Sequence, residues 1–456
     1  MKDLTSFLSG TEGETVRIEP PISVRYEVTA LQHKLGIEHR DPALLLEQPR
    51  LADGSLSSFR AVTNLNASRA RVAFALGLKD HRTAALELAA RMAARIEPVR
   101  VSPADAPVKQ VVIPGPGLSL GGMPVFTQHD CDPGPYLTAA HATTYDPDTG
   151  VDNTAIQRVW AKPGSELPFY PYPASHNRAN VMKFWARGED APVAFWIGHH
   201  PAVSIGAQAK LDYPESHWAT AGALAGEPVR LVPTELFGDS LRVPADAEIV
   251  LEGRVPRNRF EPEGPFGEYT GYAGEATLSP VFVLERITHR RDAIYHDIAS
   301  GLRDALVPDD MLNEARLFAI ARGVTDAVRN VHVPSVSRRF LAIVQTGEIA
   351  AAVARELLHR TLQYRRVKTV VLVGEDIDPF DRDQVEWALA TRVQWGRDTV
   401  LLPGMPGSLL DPSLPLGSAE TAKLGIDATW NGGRRPPRNR VPEDVWRRVS
   451  VAESLP

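Results

Sequence analysis

One cysteine, Cys131, stands in 456 residues. No intrachain disulfide can form, and the chain reads as one from a reducing compartment. No apolar run approaches the length that spans a bilayer. Met1-Lys2-Asp3-Leu4-Thr5-Ser6 lacks the hydrophobic run of a signal segment. The expectation is a cytoplasmic protein with no membrane span. Positive charge is also short: 50 Lys and Arg face 56 Asp and Glu, a net charge of −6. A nucleic-acid polyanion is therefore not an expected partner. No internal repeat or low-complexity block is visible. GxGxxG, Walker A, HExxH and GxSxG are all missing, and Gly115-Pro116-Gly117 is no nucleotide fingerprint. What remains is ordinary for a globular enzyme, 43% apolar and 23% charged, with length for two or three domains.

Residues 1 to about 95 read as α-rich, and Thr83 to Ile96 is a strong helix by propensity and apolar spacing. A proline-rich, strand-like stretch from Glu97 to Pro116 marks the first boundary. From about 110 to 300, short apolar runs alternate with turns. Val193–Ile197, Val229–Val232, Glu248–Glu252 and Val281–Ile287 are the clearest strands, and the pattern suggests a β-barrel or layered β domain. After 312 the text alternates again. Helix Leu312–Arg322 precedes strand Phe340–Val344, helix Glu348–Leu362, strand Thr369–Val373, helix Asp383–Thr391 and strand Thr399–Leu402, which predicts a small parallel sheet. A tail rich in Pro, Gly and Arg follows and is expected to wrap over another surface. The expected division is 1–108, an α/β region; 109–310, a β-barrel domain; and 311–456, an α/β domain with its tail.

Five stretches are weighed for chemistry. Glu263-Gly264-Pro265-Phe266-Gly267-Glu268 sets two carboxylates five residues apart. Its glycines and proline exclude a regular helix, so a shaped loop or strand edge can aim both acids inward. Two acids held close drive their pKa values apart, as proton transfer requires; a Gly/Pro turn with solvated acids accounts for the same residues. Asn153 to Trp160 offers Asn153 and Arg158, a fork suited to phosphate or carboxylate, or else an edge strand with a surface Arg. Ser175-His176-Asn177-Arg178 supplies a loop histidine. Gly198-His199-His200-Pro201 ends an apolar strand; adjacent strand residues face opposite ways, so these histidines read as structural. Gly374 to Asp381 lacks the glycine and glutamate of a calcium loop, so its acids read as helix caps.

Together these segments resemble the UbiD family of reversible decarboxylases that use prenylated FMN. Tyr26–Ala30, Asn64–Arg69, Asp132-Pro133-Gly134-Pro135-Tyr136, Ile197–Pro201, Ala221-Gly222-Ala223-Leu224, Ala247–Gly253, Glu375–Asp378, Trp387–Arg392, Leu410–Ser413 and Gly425–Thr429 follow in the same order. The resemblance implies a three-part α/β fold whose central split β-barrel holds the flavin. It implies a catalytic network of Arg158, Glu263 and Glu268, with Glu268 the proton donor and Arg158 paired with Glu263. Asn153, Ile156, Gln157, Arg158, Ser175 and His176 would line the cofactor. Asn153 and His176 would bind a divalent metal, manganese, with potassium beside it. The family's third metal ligand, a glutamate, falls on His217 here, with Glu215 two residues upstream as a substitute.

The resemblance further places His296, Ser300 and Arg303 toward the substrate, loosely like furan-dicarboxylate decarboxylases, with the loop around Met405 as a cover. It implies non-oxidative decarboxylation of an aromatic, heteroaromatic or α,β-unsaturated acid, a UbiX-type flavin prenyltransferase as cofactor supplier, and homodimers or hexamers. Two other readings stay open: a flavin-binding subunit without turnover, which His217 keeps alive, and an FMN oxidoreductase, for which no nicotinamide motif is visible.

Overall fold

The computed structural model describes residues 3–115, 117–415, 417–430 and 436–450. Met1 and Lys2 of the opening segment, Pro116, and parts of the tail lie outside them.

The expectation of an α-rich start is corrected to a mixed region. Strands Thr15–Ile18, Ala43–Leu46 and Arg60–Thr63 form a four-stranded sheet that Ile294–His296 completes. Ala43–Leu46 is buried along its whole length, and four residues of unbroken apolar text are too few for periodicity to separate strand from helix. Thr83–Ile96 forms the expected helix over Ala84–Ala93.

The centre is an eight-stranded sheet built around Ala191–Ile197, Ile249–Val255 and the long strand Thr277–His289. Its pairings are antiparallel, and Phe260–Glu263 and Val111–Pro114 both join the long strand. Alternation explains why these strands read as continuous apolar runs. Val193, Phe195 and Ile197 enter one core cluster, while Ala194 and Trp196 enter the one on the other face. Both faces are covered, so neither needs polar residues. At Gly253 the ladder shifts register, and a Cβ there would lie 2.0 Å from the Val283 carbonyl oxygen. Only glycine fits that approach.

The expected helix Leu312–Arg322 starts earlier, at Arg303, and runs through Pro308 and through residue 310. Pro308 lies inside the helix, where it removes one backbone hydrogen bond, and burial of most of this helix outweighs that cost. The last sheet has five strands, ordered Val328–His332, Leu341–Thr346, Thr369–Gly374, Glu420–Ala428, Thr399–Pro406. Its middle three are parallel. The expectation of Thr399–Leu402 as a third parallel strand is corrected: that strand is the antiparallel edge, and Glu420–Ala428, read as tail, takes the inner place. A fully buried lysine disguises it. Lys423 donates to the carbonyls of Leu362 and Tyr364, both at 2.9 Å, and so needs no water. Among the described tail residues, Arg438 lies over the Trp387 ring at 4.4 Å. Asp381 caps the helix Arg382–Arg392, as read from the sequence. Among the described residues no helix is long and apolar enough to cross a membrane.

Candidate active site

A cavity of about 600 Å³ opens where the central sheet meets the C-terminal domain. Its reactive wall is assembled from two distant pieces of chain. Arg158 follows the strand Asp152–Ile156. Glu263 ends the strand Phe260–Glu263, and Glu268 follows the short hairpin strand Phe266–Gly267. Gly264 turns the chain between them at φ 93°, and an added Cβ would lie 3.0 Å from the Glu275 carbonyl oxygen. That turn lets both acids meet one guanidinium. The Asp132–Tyr136 segment pins it: Gly267 N–H donates to Asp132 Oδ1 at 2.9 Å and Gly264 N–H to the Tyr136 hydroxyl at 3.2 Å.

Arg158 donates to Glu263 through Nε and Nη2, each at 2.8 Å, and to Glu268 through Nη1. The rings of Tyr170 and Phe266 lie 4.6 and 4.7 Å from its guanidinium carbon. Glu263 is fully buried behind Arg158, whereas Glu268 lines the cavity. Burial pushes the Glu268 carboxyl above its usual range, and the Arg158 guanidinium opposes this only in part. Burial tends to lower the Arg158 pKa, but its bonds to Glu263 and the two carboxylate charges leave the guanidinium held still more firmly protonated.

Asn153, Ile156, Gln157, Ser175, His176 and His217 all line the same cavity. Asn153 Nδ2, Gln157 Oε1 and His217 Nδ1 are buried with no hydrogen-bonding partner. Ser175 caps helix α1 (His176–Ala186), its Oγ accepting from Arg178 N–H at 3.2 Å. His217 opens helix α2 (His217–Ala225); burial first, then His176 and Lys210, pull its pKa down to about 3. The rings of His176 and His217 lie 6.3 Å apart. Glu215 does not join them, because it pairs with Arg95 at 2.6 Å, away from the cavity wall.

Three expected substrate contacts are not among the lining residues. His296 is buried in a sheet strand, with both ring nitrogens unpartnered. Arg303 is drawn the other way, to Asp41 at 2.9 Å and the Ala67 carbonyl at 3.1 Å. Met405 lies in an edge strand held in register by Glu420–Ala428; Ser408 and Leu410, just beyond it, reach the cavity instead, and Ser300 lines it. Sequence reading also missed Lys210, Arg339 and Arg366, which converge on Asp309 at 3.7, 3.0 and 3.2 Å. The doublets Arg338-Arg339 and Arg365-Arg366 before two strands were the available signal.

Three family domains of 3-octaprenyl-4-hydroxybenzoate carboxy-lyase match this chain in order: the N-terminal domain over residues 9–92, the Rift-related domain over 99–303 and the C-terminal domain over 309–428. The chain belongs to the UbiD family. It is a carboxy-lyase with the UbiD-class fold of N-terminal, central and C-terminal domains. The UbiD-class enzyme HmfF from Pelotomaculum thermopropionicum, solved with FMN, matches at TM-score 0.90 and 32% identity over 99% of this chain and 100% of that one. An evolved dimeric form of the same enzyme with prFMN matches at 0.88 and 31%, over 100% of both chains. Vanillic acid decarboxylase from Sedimentibacter hydroxybenzoicus, in its open form, matches at 0.86 and 26%, over 98% of this chain and 97% of that one.

Proposed function

We infer that this UbiD protein catalyses the reversible, non-oxidative decarboxylation of an aromatic, heteroaromatic or α,β-unsaturated carboxylic acid, with prenylated FMN as cofactor and Glu268 as proton donor. One observation carries the reading. Arg158, Glu263 and Glu268 form a closed, buried ion network, and Glu268 alone of its two acids faces the cavity. The net change is RCOO⁻ + H⁺ → RH + CO2, so the enzyme must deliver one proton to the carbon that loses CO2.

The residues fit a flavin. The cavity is in the size range of cofactor sites. Tyr170 and Phe266 offer ring faces, Asn153 and Gln157 carry unsatisfied polar atoms, and Lys210 and Arg366 supply positive charge for a phosphate. When bound, prenylated FMN supplies the electron sink that lets the bond to the carboxylate break. The chain supplies the rest. Glu263 holds Arg158 in a fixed plane through two parallel bonds. Arg158 holds Glu268 at the cavity edge, and burial keeps a proton on Glu268 at a pH where an exposed glutamate has lost it. Ile298, Leu410 and Phe266 make part of the wall apolar, which suits a planar ring and excludes water. We place a heteroaromatic acid first among substrates, a UbiX-type prenyltransferase as cofactor supplier, the cytoplasm as location and a homo-oligomer as the working form. The intact network disfavours a subunit without turnover.

CO2 release is to be measured from a panel of aromatic and heteroaromatic acids, with enzyme co-expressed with a flavin prenyltransferase. Release that depends on the prenylated flavin and disappears in Glu268→Gln supports the reading. Undiminished release from Glu268→Gln refutes the role of Glu268.

A further inference from the structure

Asn153, His176 and His217, the residues expected to hold a metal, line the cavity but bring no negative charge of their own. The nearby acids are engaged elsewhere. Glu215 pairs with Arg95 at 2.6 Å. Asp152 accepts from Ser216 Oγ at 2.5 Å and from Trp218 N–H at 3.1 Å, which commits it to the first turn of α2. Asp212 also lines the cavity but is solvent-exposed and pairs with Arg316 at 3.3 Å. Among the described residues no group of three His, Cys, Asp or Glu side chains converges as a metal site. Manganese favours hard, charged oxygen donors, and these residues do not fit it.

A lysine shares the cavity with them. Lys210 lines the same cavity and acts electrostatically on His217. Its ion-pair partner among the described residues is Asp309 at 3.7 Å, a carboxylate shared with Arg339 and Arg366. Asp310 also meets Arg339, at 4.0 Å, so three cations face two carboxylates and positive charge is left over. On the wall of the same cavity, Asn153 Nδ2 is a buried donor without a partner. The first turn of α1 opens on the same space through Ser175 and His176, and a helix start favours an anion. A dication placed beside Lys210 would be repelled, whereas a phosphate dianion would be drawn in.

We propose that this chain binds the phosphate monoester of its flavin directly, through Lys210 and Asn153, with no divalent metal between protein and phosphate. The inference rests on the flavin reading above. Its probes are FMN and riboflavin, which share the ring and differ by the phosphate. Binding to the full chain is followed by quenching of flavin fluorescence, in EDTA and in excess manganese, for the wild type and Lys210→Met. In EDTA the wild type binds FMN at least about tenfold more tightly than riboflavin, as a charge-assisted contact predicts. Manganese changes this by less than about threefold. Lys210→Met closes the gap between the two ligands and leaves riboflavin unaffected. The proposal is overturned if FMN gains over riboflavin only with manganese, or if Lys210→Met keeps the gap. Either result leaves the flavin reading intact. If neither ligand binds under any condition, the flavin reading itself falls, and the proposal with it.

Discussion

Replacing Glu263 and Glu268 by glutamine, one at a time, separates what holds the reaction centre together from what turns it over. Glu263 is fully buried and accepts two Arg158 bonds of 2.8 Å. Glu263→Gln removes the charge and sets an amide NH2 against one guanidinium N–H, so one bond is lost and two donors face each other. Removing one partner of a buried pair costs about 3–5 kcal/mol. Glu268 stays on Nη1 and offsets part of this, which leaves about 2–3 kcal/mol. Glu268→Gln is milder. Its amide oxygen can still accept from Nη1, Arg158 keeps its paired bonds to Glu263, and burial already disfavours the Glu268 charge. The cost is about 1 kcal/mol or less. At roughly 2–4 °C per kcal/mol for a domain of this size, Glu263→Gln lowers the apparent Tm by about 4–12 °C and Glu268→Gln by at most about 4 °C. Scanning fluorimetry on cofactor-free protein reads both. CO2 release from the loaded enzyme falls by about 10²–10⁴ in Glu268→Gln, the range of a lost general acid. Equal Tm losses in the two variants refute the division of labour.

Two further outcomes follow from particular atoms. Because the Glu268 pKa lies above its ordinary 4.5 in the folded protein, its proton-donating form persists beyond the usual carboxylate range, and turnover falls as pH rises through the raised value; the same shift makes its contribution to stability greatest below 4.5 and lost as pH rises through the folded pKa. A kcat profile whose alkaline limb sits at the ordinary glutamate value contradicts this. Gly253→Ala drives a Cβ to 2.0 Å from the Val283 carbonyl oxygen, so it costs about 3 kcal/mol or more, seen as a lower Tm or as insoluble protein; a variant as stable as the wild type would mean the strand pairing shifts at no cost.

What could be read from the sequence was whatever local chemistry forces. Gly264 and Pro265 between two acids exclude a helix, and the chain does turn there to bring Glu263 and Glu268 onto Arg158. Asp381 before a helical pattern caps that helix. Val193–Ile197 reads as a strand and lies within the observed strand Ala191–Ile197. What stayed hidden depends on pairing between distant segments. Ile294–His296 looked like a site segment and is the closing strand of the N-terminal sheet, which fixes His296 inside that sheet. Lys423 falls in the segment read as tail and is buried against two carbonyls of the C-terminal domain. Lys210, Arg339 and Arg366 are far apart in sequence, and only the folded chain brings them to Asp309.

The two acids on Arg158 differ in what surrounds them, and that difference decides their work. A single guanidinium cannot neutralise two buried carboxylates at full strength. Glu263 takes both parallel bonds and has no face on the cavity, so its work is to hold Arg158 in place. Glu268 has one bond, and desolvation raises its pKa. Burial thus favours the protonated form of Glu268, the one of the two acids that faces the cavity, while Arg158 stays charged between them. In the proposed role, handing a proton to the substrate carbon would leave Glu268 as an anion already in contact with Arg158, so the charge that develops on the donor would meet an oriented cation and no side chain would have to move.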